Sequence, residues 1–398
     1  MSNSLKKNCY NITNKMSFTI THIDNHTKAR IGILKTKSGD IETPFFMPVA
    51  TKATAKFIDT KQLEELAPAI ISNAFLLSLR PGVEIIRRFK DIKKFMNYNG
   101  IIFTDSGGFQ MYSDYLYIKS DEKGVYFRNP ISGEKIFMTP EKNMKIQLDI
   151  NADVAMCLDV MPLYKDSKED IKKAVELTIN WAERCKKEHN KLQNKILKNN
   201  RQLLFCISQG GIHEDLRKFC IKKLSEIDFD GYAIGGIALP KALYGKEIGK
   251  AKKLEQQSII THKKYSPENK PCYLMGEGDP IWLLEAIALG VDCFDSRYPT
   301  QSARRGTIFT KNGKIKILNK KYEYNKAPLE KNCRCFVCKN YSRTYVRFLL
   351  RENEPVGKEL ASYHNVYFMK WLIEEAKKHI KKNNLKEFLG MMKKIYEK

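Results

Sequence analysis

The stretch Ile101-Ile-Phe-Thr-Asp105-Ser-Gly-Gly-Phe-Gln110 sets the pattern that decides the fold. An apolar run stops at a carboxylate, and two glycines follow that let a backbone approach a ligand closely. Short apolar runs of this kind read as strands covered on both faces. The pattern recurs at Pro44–Ala50, Ala69–Asn73, Val154–Asp159, Leu203–Gln209, Tyr232–Gly236, Tyr273–Gly276 and Val291–Asp295, which with Ile101–Asp105 makes eight. Helical patterns lie between most of them. Ser167 to Asp170 opens one as a capping box. Thr139-Pro140-Glu141 opens another as N-cap, N1 proline and first-turn acid. Pro280 begins a third that runs to Leu289, with Gly290 closing it. Eight strand–helix units over roughly 280 residues predict an α/β fold, a modified (β/α)8 TIM barrel, with a doubly wound sheet as the alternative. In a barrel the chemistry gathers at the C-terminal strand ends. Those ends carry Asn73, Asp105, Asp159, Gln209, Gly236, Met275 and Asp295. A polar strand end is often only a turn former, but so many carboxylates and amides exceed what turns require.

Working outward, the chain has 398 residues, 70 Lys and Arg against 45 Asp and Glu, and a formal charge of +25. That excess favours a polyanionic partner, although compositional drift toward Lys would also produce it. An apolar fraction of 42% supports a sizeable core and argues against global disorder. No apolar run approaches the roughly 18 residues of a spanning helix, so no membrane partner is expected. No signal-peptide core is found, and ten cysteines then read as a reduced, cytoplasmic set. The expected organisation is an N-terminal tail over 1–15, a barrel over 16–310 with an inserted hairpin near 111–139, a metal-binding subdomain over 311–363, and a closing helix with a helical tail over 364–398. In the hairpin, Val125–Asn129 and Lys135–Met138 flank the turn Ile131-Ser132-Gly133-Glu134. The closing helix is expected to begin near His364.

Three cysteines fall close together in Cys333-Arg-Cys335-Phe-Val-Cys338, and His364 follows. Three thiolates and one imidazole complete a tetrahedral zinc shell with no open position, so this zinc is structural, one per chain. His364 is the least certain ligand on spacing alone, because a histidine at a helix start is often a cap. His379 competes from a Lys-rich segment.

Phe294-Asp295-Ser296 ends the last strand and runs into a cationic loop, Arg297-Tyr-Pro-Thr300-Gln301-Ser-Ala-Arg304-Arg305-Gly306. Covalent catalysis at a sugar carbon needs a carboxylate nucleophile, and a second carboxylate can manage protons. Taken singly, Asp105 and Asp295 would each pass for a turn or cap.

At this point the chain resembles the tRNA-guanine transglycosylases, also called queuine tRNA-ribosyltransferases. The resemblance spans nearly all of residues 16–382. It rests on Thr43-Pro-Phe-Phe-Met-Pro-Val49, Leu79-Arg-Pro-Gly82, the Asp105 run, Gln209-Gly-Gly211, Ala233-Ile-Gly-Gly236, Tyr273-Leu-Met-Gly276, the Asp295 run and the Cys/His spacing. It implies a modified TIM barrel with a zinc subdomain before the last helix. The implied reaction exchanges wobble guanine-34 of GUN-anticodon tRNAs for a 7-deazaguanine, queuine or preQ1. Asp295 attacks ribose C1′, guanine leaves, and the incoming base attacks the ribosyl-enzyme with Asp105 as general base. The target base must be flipped into a pocket, because C1′ is otherwise screened.

The resemblance also implies roles. Asp159 would accept hydrogen bonds from N1–H and the exocyclic amine of the base. Gln209 and the Gly236 N–H would bind its exocyclic oxygen. Phe109 and Met275 would sandwich the ring, with Ser106, Gly107, Gly108 and Ile237 lining the pocket. Gly276, Glu277, Gly278, Asp279, Pro280, Thr300, Gln301, Arg304 and Arg305 would contact RNA. Lys311, Lys314, Lys316, Lys320 and Lys321 would hold the backbone, or merely form a solvated face. A homodimer is implied too.

Four departures from the usual family pattern stand out. Ala74-Phe75-Leu76 replaces Thr-Tyr-His, Val160-Met161 replaces the bacterial Glu-Cys, Lys241 replaces a Glu, and Gln301 replaces a common arginine. None removes a catalytic group. Together they lead to the expectation of a bulkier base such as queuine. A non-catalytic tRNA-binding subunit of a heteromeric enzyme is the alternative reading, against which the retained Asp105 and Asp295 speak. A retaining glycoside hydrolase would also use two carboxylates, but the metal knuckle and the charge argue against a neutral sugar.

Overall fold

The structure is a computed structural model that describes residues 17–108, 115–162, 166–237 and 248–397. Its centre is an eight-stranded parallel sheet. The strands are β4 (Phe45–Pro48), β5 (Ala69–Asn73), β6 (Ile101–Asp105), β10 (Val154–Met156), β11 (Leu203–Ser208), β12 (Gly231–Ile234), β13 (Cys272–Leu274) and β14 (Cys293–Ser296). They neighbour one another in chain order, and β14 pairs with β4. A parallel bridge from Val49 to Ile71 and the bond from Ala50 N–H to Ile71 O (2.7 Å) join β4 to β5 and complete the ring. The eight runs read from the sequence are therefore the eight barrel strands. The doubly wound alternative is excluded because its sheet would leave two open edges.

Apolar side chains fill the interior. Phe45, Met47, Ile71, Phe103, Met156, Phe205, Ile207 and Tyr273 form one cluster, and Phe103 meets Phe205 and Tyr273 edge to face. Phe18, Leu34 and Ile41 join it. They come from a three-stranded antiparallel sheet, β1 (Phe18–Ile23), β2 (Arg30–Thr36) and β3 (Gly39–Thr43), that the sequence reading did not anticipate. β1 alternates buried or half-buried residues with exposed ones and β3 begins on two exposed ones, so their apolar content is diluted by outward polar residues.

Three aspartates pin neighbouring strands together. Asp153, Asp230 and Asp292 each immediately precede a barrel strand, and each accepts an N–H from the first or second residue of the strand before it, from Ile102 (2.9 Å), Leu204 (3.0 Å) and Cys272 (2.7 Å). Asp292 also forms a buried two-point ion pair with Arg30 of β2 (2.9 and 2.7 Å), tying the small sheet to the barrel.

The insertion holds three strands, β7 (Tyr117–Asp121), β8 (Gly124–Arg128) and β9 (Lys135–Met138), where a two-stranded hairpin was expected. The extra strand carries Lys119, Ser120 and Asp121 and gave no apolar signal. Thr139 caps the helix Pro140–Ile150, and Ser167 caps Lys168–Leu192, as the capping residues predict. After the barrel come the hairpin β15 (Thr307–Thr310) and β16 (Gly313–Lys316), then short helices Phe336–Asn340 and Arg343–Arg351. The closing helix is Pro355–Lys381, so it begins well before His364 and carries that residue in its interior. Pro355 at its first turn is the true start signal. A last helix, Leu385–Tyr396, packs behind it.

Candidate active site

Asp105 and Asp295 lie at the C-terminal ends of β6 and β14 and Asp159 follows β10, so the three gather at the C-terminal mouth of the barrel, all buried or nearly so. Asp295 Oδ1 accepts the hydroxyl of Tyr273 (2.6 Å) and the N–H of Gly276 (2.9 Å). Gly276 adopts φ +82°, a left-handed conformation that aims its N–H at the carboxylate at no steric cost. Both bonds fall on one oxygen, Oδ1. Burial holds the Asp295 carboxyl above its usual range, opposed by the Tyr273 and Gly276 bonds.

Asp105 Oδ2 accepts the amide of Asn73 (2.9 Å). Burial pushes its carboxyl up to about 6, the N–H groups of Gly107 and Ser106 oppose this, and the nearby Asp295 charge adds to it. The loop is held from below. Asn143 Nδ2 donates to Ser106 O (2.7 Å), and Gln147 bonds Asn143 (2.6 Å), Thr104 (2.9 Å) and both backbone groups of Met156 (2.8 and 3.0 Å). Asn143 and Gln147 lie one turn apart on the inward face of Pro140–Ile150 and are fully buried. The sequence reading missed them. Their signal was two amides at inward positions of an amphipathic helix.

Asp159 lies three residues beyond the end of β10. Gln209 Nε2 donates to its Oδ2 (2.6 Å). Burial pushes the Asp159 carboxyl up to about 7, Gln209 opposes, and Asp105 adds. Glycines shape this cradle. A Cβ on Gly108 would lie 2.5 Å from Asp159 Oδ1, and Cβ atoms on Gly235 and Gly236 would lie 2.5 and 2.6 Å from the Gln209 amide. Any side chain at these positions would displace the polar pair.

Other residues singled out by sequence fall as follows. Met275 is half-buried beside the interior cluster, and Ile237 is buried in the apolar layer outside the barrel. Phe109, Lys241 and the tail over 1–15 lie outside the described residues. Glu277 accepts the N–H groups of Gly278 and Asp279, and Asp279 caps the helix begun by Pro280. Gly278 abuts Ser296. Thr300 is buried and bonds Arg297 O (3.1 Å), and Gln301 is half-buried beside it. Arg304 lies half-buried over the Phe57 ring, while Arg297 and Arg305 are exposed at the mouth. Of the five lysines, Lys314 is engaged inside the fold: its ammonium pairs with Asp279 (2.6 Å) among the rings of Tyr298, Phe309 and Tyr396. Lys316 bonds Thr307 (2.9 Å).

Cys333, Cys335, Cys338 and His364 bring their ligand atoms within 4.8 Å of one another, forming a site able to hold a metal ion. His364 Nδ1 lies 3.4 Å from the sulfurs of both Cys335 and Cys338. That matches the ligand–ligand spacing of about 3.5 Å expected around a tetrahedral metal with thiolate and imidazole ligands. His364 Nε2 bonds Phe309 O (2.9 Å), which fixes the ring with Nδ1 toward the sulfurs. His379 instead bonds Asn384 and stacks on Phe388.

A closed barrel with three carboxylates gathered at its mouth, flanked by arginines and backed by a separate Cys/His knuckle, has the layout of a barrel enzyme with its site at the C-terminal strand ends. Comparison with known proteins narrows the class. The family described as queuine tRNA-ribosyltransferase matches residues 24–398. A queuine tRNA-ribosyltransferase of Thermoanaerobacter sp. (strain X514) is 44% identical over 94% of this chain and 96% of its own. The one of Halothermothrix orenii is 43% identical over 94% and 96%, and that of Fusobacterium nucleatum 41% over 96% and 99%. The chain belongs to the queuine tRNA-ribosyltransferase family, whose members are tRNA-guanine transglycosylases, a class of pentosyltransferase.

Proposed function

We propose that this chain exchanges the wobble guanine of GUN-anticodon tRNAs for a 7-deazaguanine through a ribosyl ester on Asp295. The observation that carries the reading is the Asp295 carboxylate, held at Oδ1 by two donors and free at Oδ2. Oδ2 forms a bond to C1′ as the C1′–N9 bond to guanine breaks, and the departing N9 takes a proton from Asp105. The incoming base then forms its N9–C1′ bond, giving up its N9 proton to Asp105, and Asp295 departs as carboxylate. Tyr273 and Gly276 stabilise that departing charge. Asp159 and Gln209 present acceptor and donor edges to a guanine-like ring, and the glycine cradle leaves room for it. Arg304 and Arg305 grip RNA near the wobble base. Base exchange with guanine-loaded tRNA, and a covalent RNA adduct on a denaturing gel that Asp295→Ala abolishes, test this. Absence of an adduct from an exchange-active wild type would refute the ribosyl ester, and absence of both exchange and adduct would favour the non-catalytic subunit.

Val160 and Met161 stand after Asp159 where the bacterial pattern has Glu-Cys, the first buried and the second half-buried. This supports queuine as the incoming base. Efficient displacement of guanine by preQ1 and not by queuine would overturn that choice.

Zinc suits the Cys3His donor set, where it would clamp Cys333–Cys338 to the closing helix as a structural ion. Cytoplasmic residence is consistent with the nine described cysteines all being free. No helix among the described residues is long and apolar enough to cross a membrane. Exposed Phe336, Tyr345 and Phe348 on the metal-bearing lobe support a homodimer, which sedimentation velocity would test.

A further inference from the structure

Gln209 reaches Asp159 from a loop whose backbone is held by one helix, Glu214–Ser225. Arg217 lies on the inner face of that helix and is 2% exposed. Its Nη1 donates to Ser208 O (3.1 Å) and its Nε to Gly211 O (2.9 Å). One guanidinium therefore spans the carbonyls on either side of Gln209-Gly210. One turn further, the Cys220 sulfur accepts the Gln209 N–H (3.3 Å). Gly210 presses directly on the helix, since a Cβ there would lie 2.7 Å from Arg217 N. From the other side, Ser208 Oγ meets His262 Nδ1 at 2.9 Å.

We propose that Arg217 is a positioning residue for the base pocket: by clamping Ser208–Gly211 it aims the Gln209 amide at the base in the pocket, and so sets affinity for the free base more than for tRNA, which is also held through its backbone. This rests on the function proposed above. The geometry requires a planar, multi-donor cation. A lysine has a single nitrogen for two carbonyls that face it from different directions, and a methionine has no donor. Without the clamp, the peptide carrying Gln209 can tilt, and a 2.6 Å contact with Asp159 tolerates little tilt.

The test compares wild type, R217K, R217M, Q209A and Q209A/R217M, using guanine as the free base and measuring KM for guanine and for tRNA separately. R217M should raise KM for guanine about tenfold, the worth of one well-placed hydrogen bond, with R217K between it and wild type. KM for tRNA should rise less, because backbone contacts outside the pocket also hold the tRNA. In the Q209A background, R217M should add no further rise, because the group that it positions is gone. A merely structural role predicts the same added loss in both backgrounds, or parallel changes in both KM values, and either result overturns the proposal. Should R217M fail to fold, R217K with Q209A and Q209A/R217K gives the same comparison. No exchange by the wild type would overturn the proposed function and this inference together, whereas additive losses in an active enzyme overturn this inference alone.

Discussion

Replacing Tyr273 by Phe removes one donor from Asp295, the proposed nucleophile, and leaves the rest of the ring in place. The Tyr273 hydroxyl is 2.6 Å from Asp295 Oδ1, a short charge-assisted bond in a fully buried setting. Such a bond contributes about 1.5–3 kcal/mol in favour of the carboxylate. Its loss should therefore raise the Asp295 pKa by about 1–2 units, at about 1.4 kcal/mol per unit. Two effects follow. The fraction of Asp295 able to attack falls at neutral pH and recovers at higher pH. Release of Asp295 from the ribosyl ester also slows, because Oδ1 regains full negative charge only as the ester breaks, and the donor that stabilised it is gone. The slowing should reach about 10- to 100-fold. Single-turnover assays on a denaturing gel would follow formation and decay of the adduct across pH. The expected result is an acid limb displaced to higher pH and an adduct that accumulates. An unshifted limb with wild-type decay would refute the assignment of Tyr273 and of Oδ1 as the spectator oxygen.

Asp159, raised to about 7 by burial, binds more protons folded than unfolded. Its favourable contribution to stability is full below its ordinary carboxylate range and is lost as pH rises through about 7. Asp159→Asn should thus gain stability relative to wild type between pH 5 and 8, on the order of a few kcal/mol in urea unfolding, while losing base binding. A constant difference across that range would disprove the buried-charge account. Arg30→Ala leaves Asp292 charged and unpaired in the interior and should cost about 3–5 kcal/mol in denaturant. A loss below about 1 kcal/mol, typical of an exposed pair, would show that the link between the small sheet and the barrel carries little. His364→Ala should release the bound metal, read by a chromophoric chelator, and lower Tm by several degrees. Retained metal at one per chain would exclude His364 as a ligand.

The barrel strands were legible because each is buried on both faces, so each appears as a compact apolar run with a polar stop. β1–β3 and β7 were not legible in that way, since a strand covered on one face mixes polar and apolar residues. The metal ligands were legible as spacing for the cysteines. His364 needed the helix from Pro355, which turns its Nδ1 toward sulfurs far away in sequence.

The residue types and their order along the chain determined the alternation of strands and helices, the acid-ended strands and the Cys3His set. The tertiary structure alone decided which groups face one another: Tyr273 on Asp295, Gln209 on Asp159, Arg217 under Gln209, Asn143 under Ser106, and Lys314 inside an aromatic box with Asp279. Local propensity depends on a few neighbouring residues. These pairings depend on closing a barrel from strands far apart in the chain, and only that closure sets the distances at which a hydrogen bond or a shifted pKa arises.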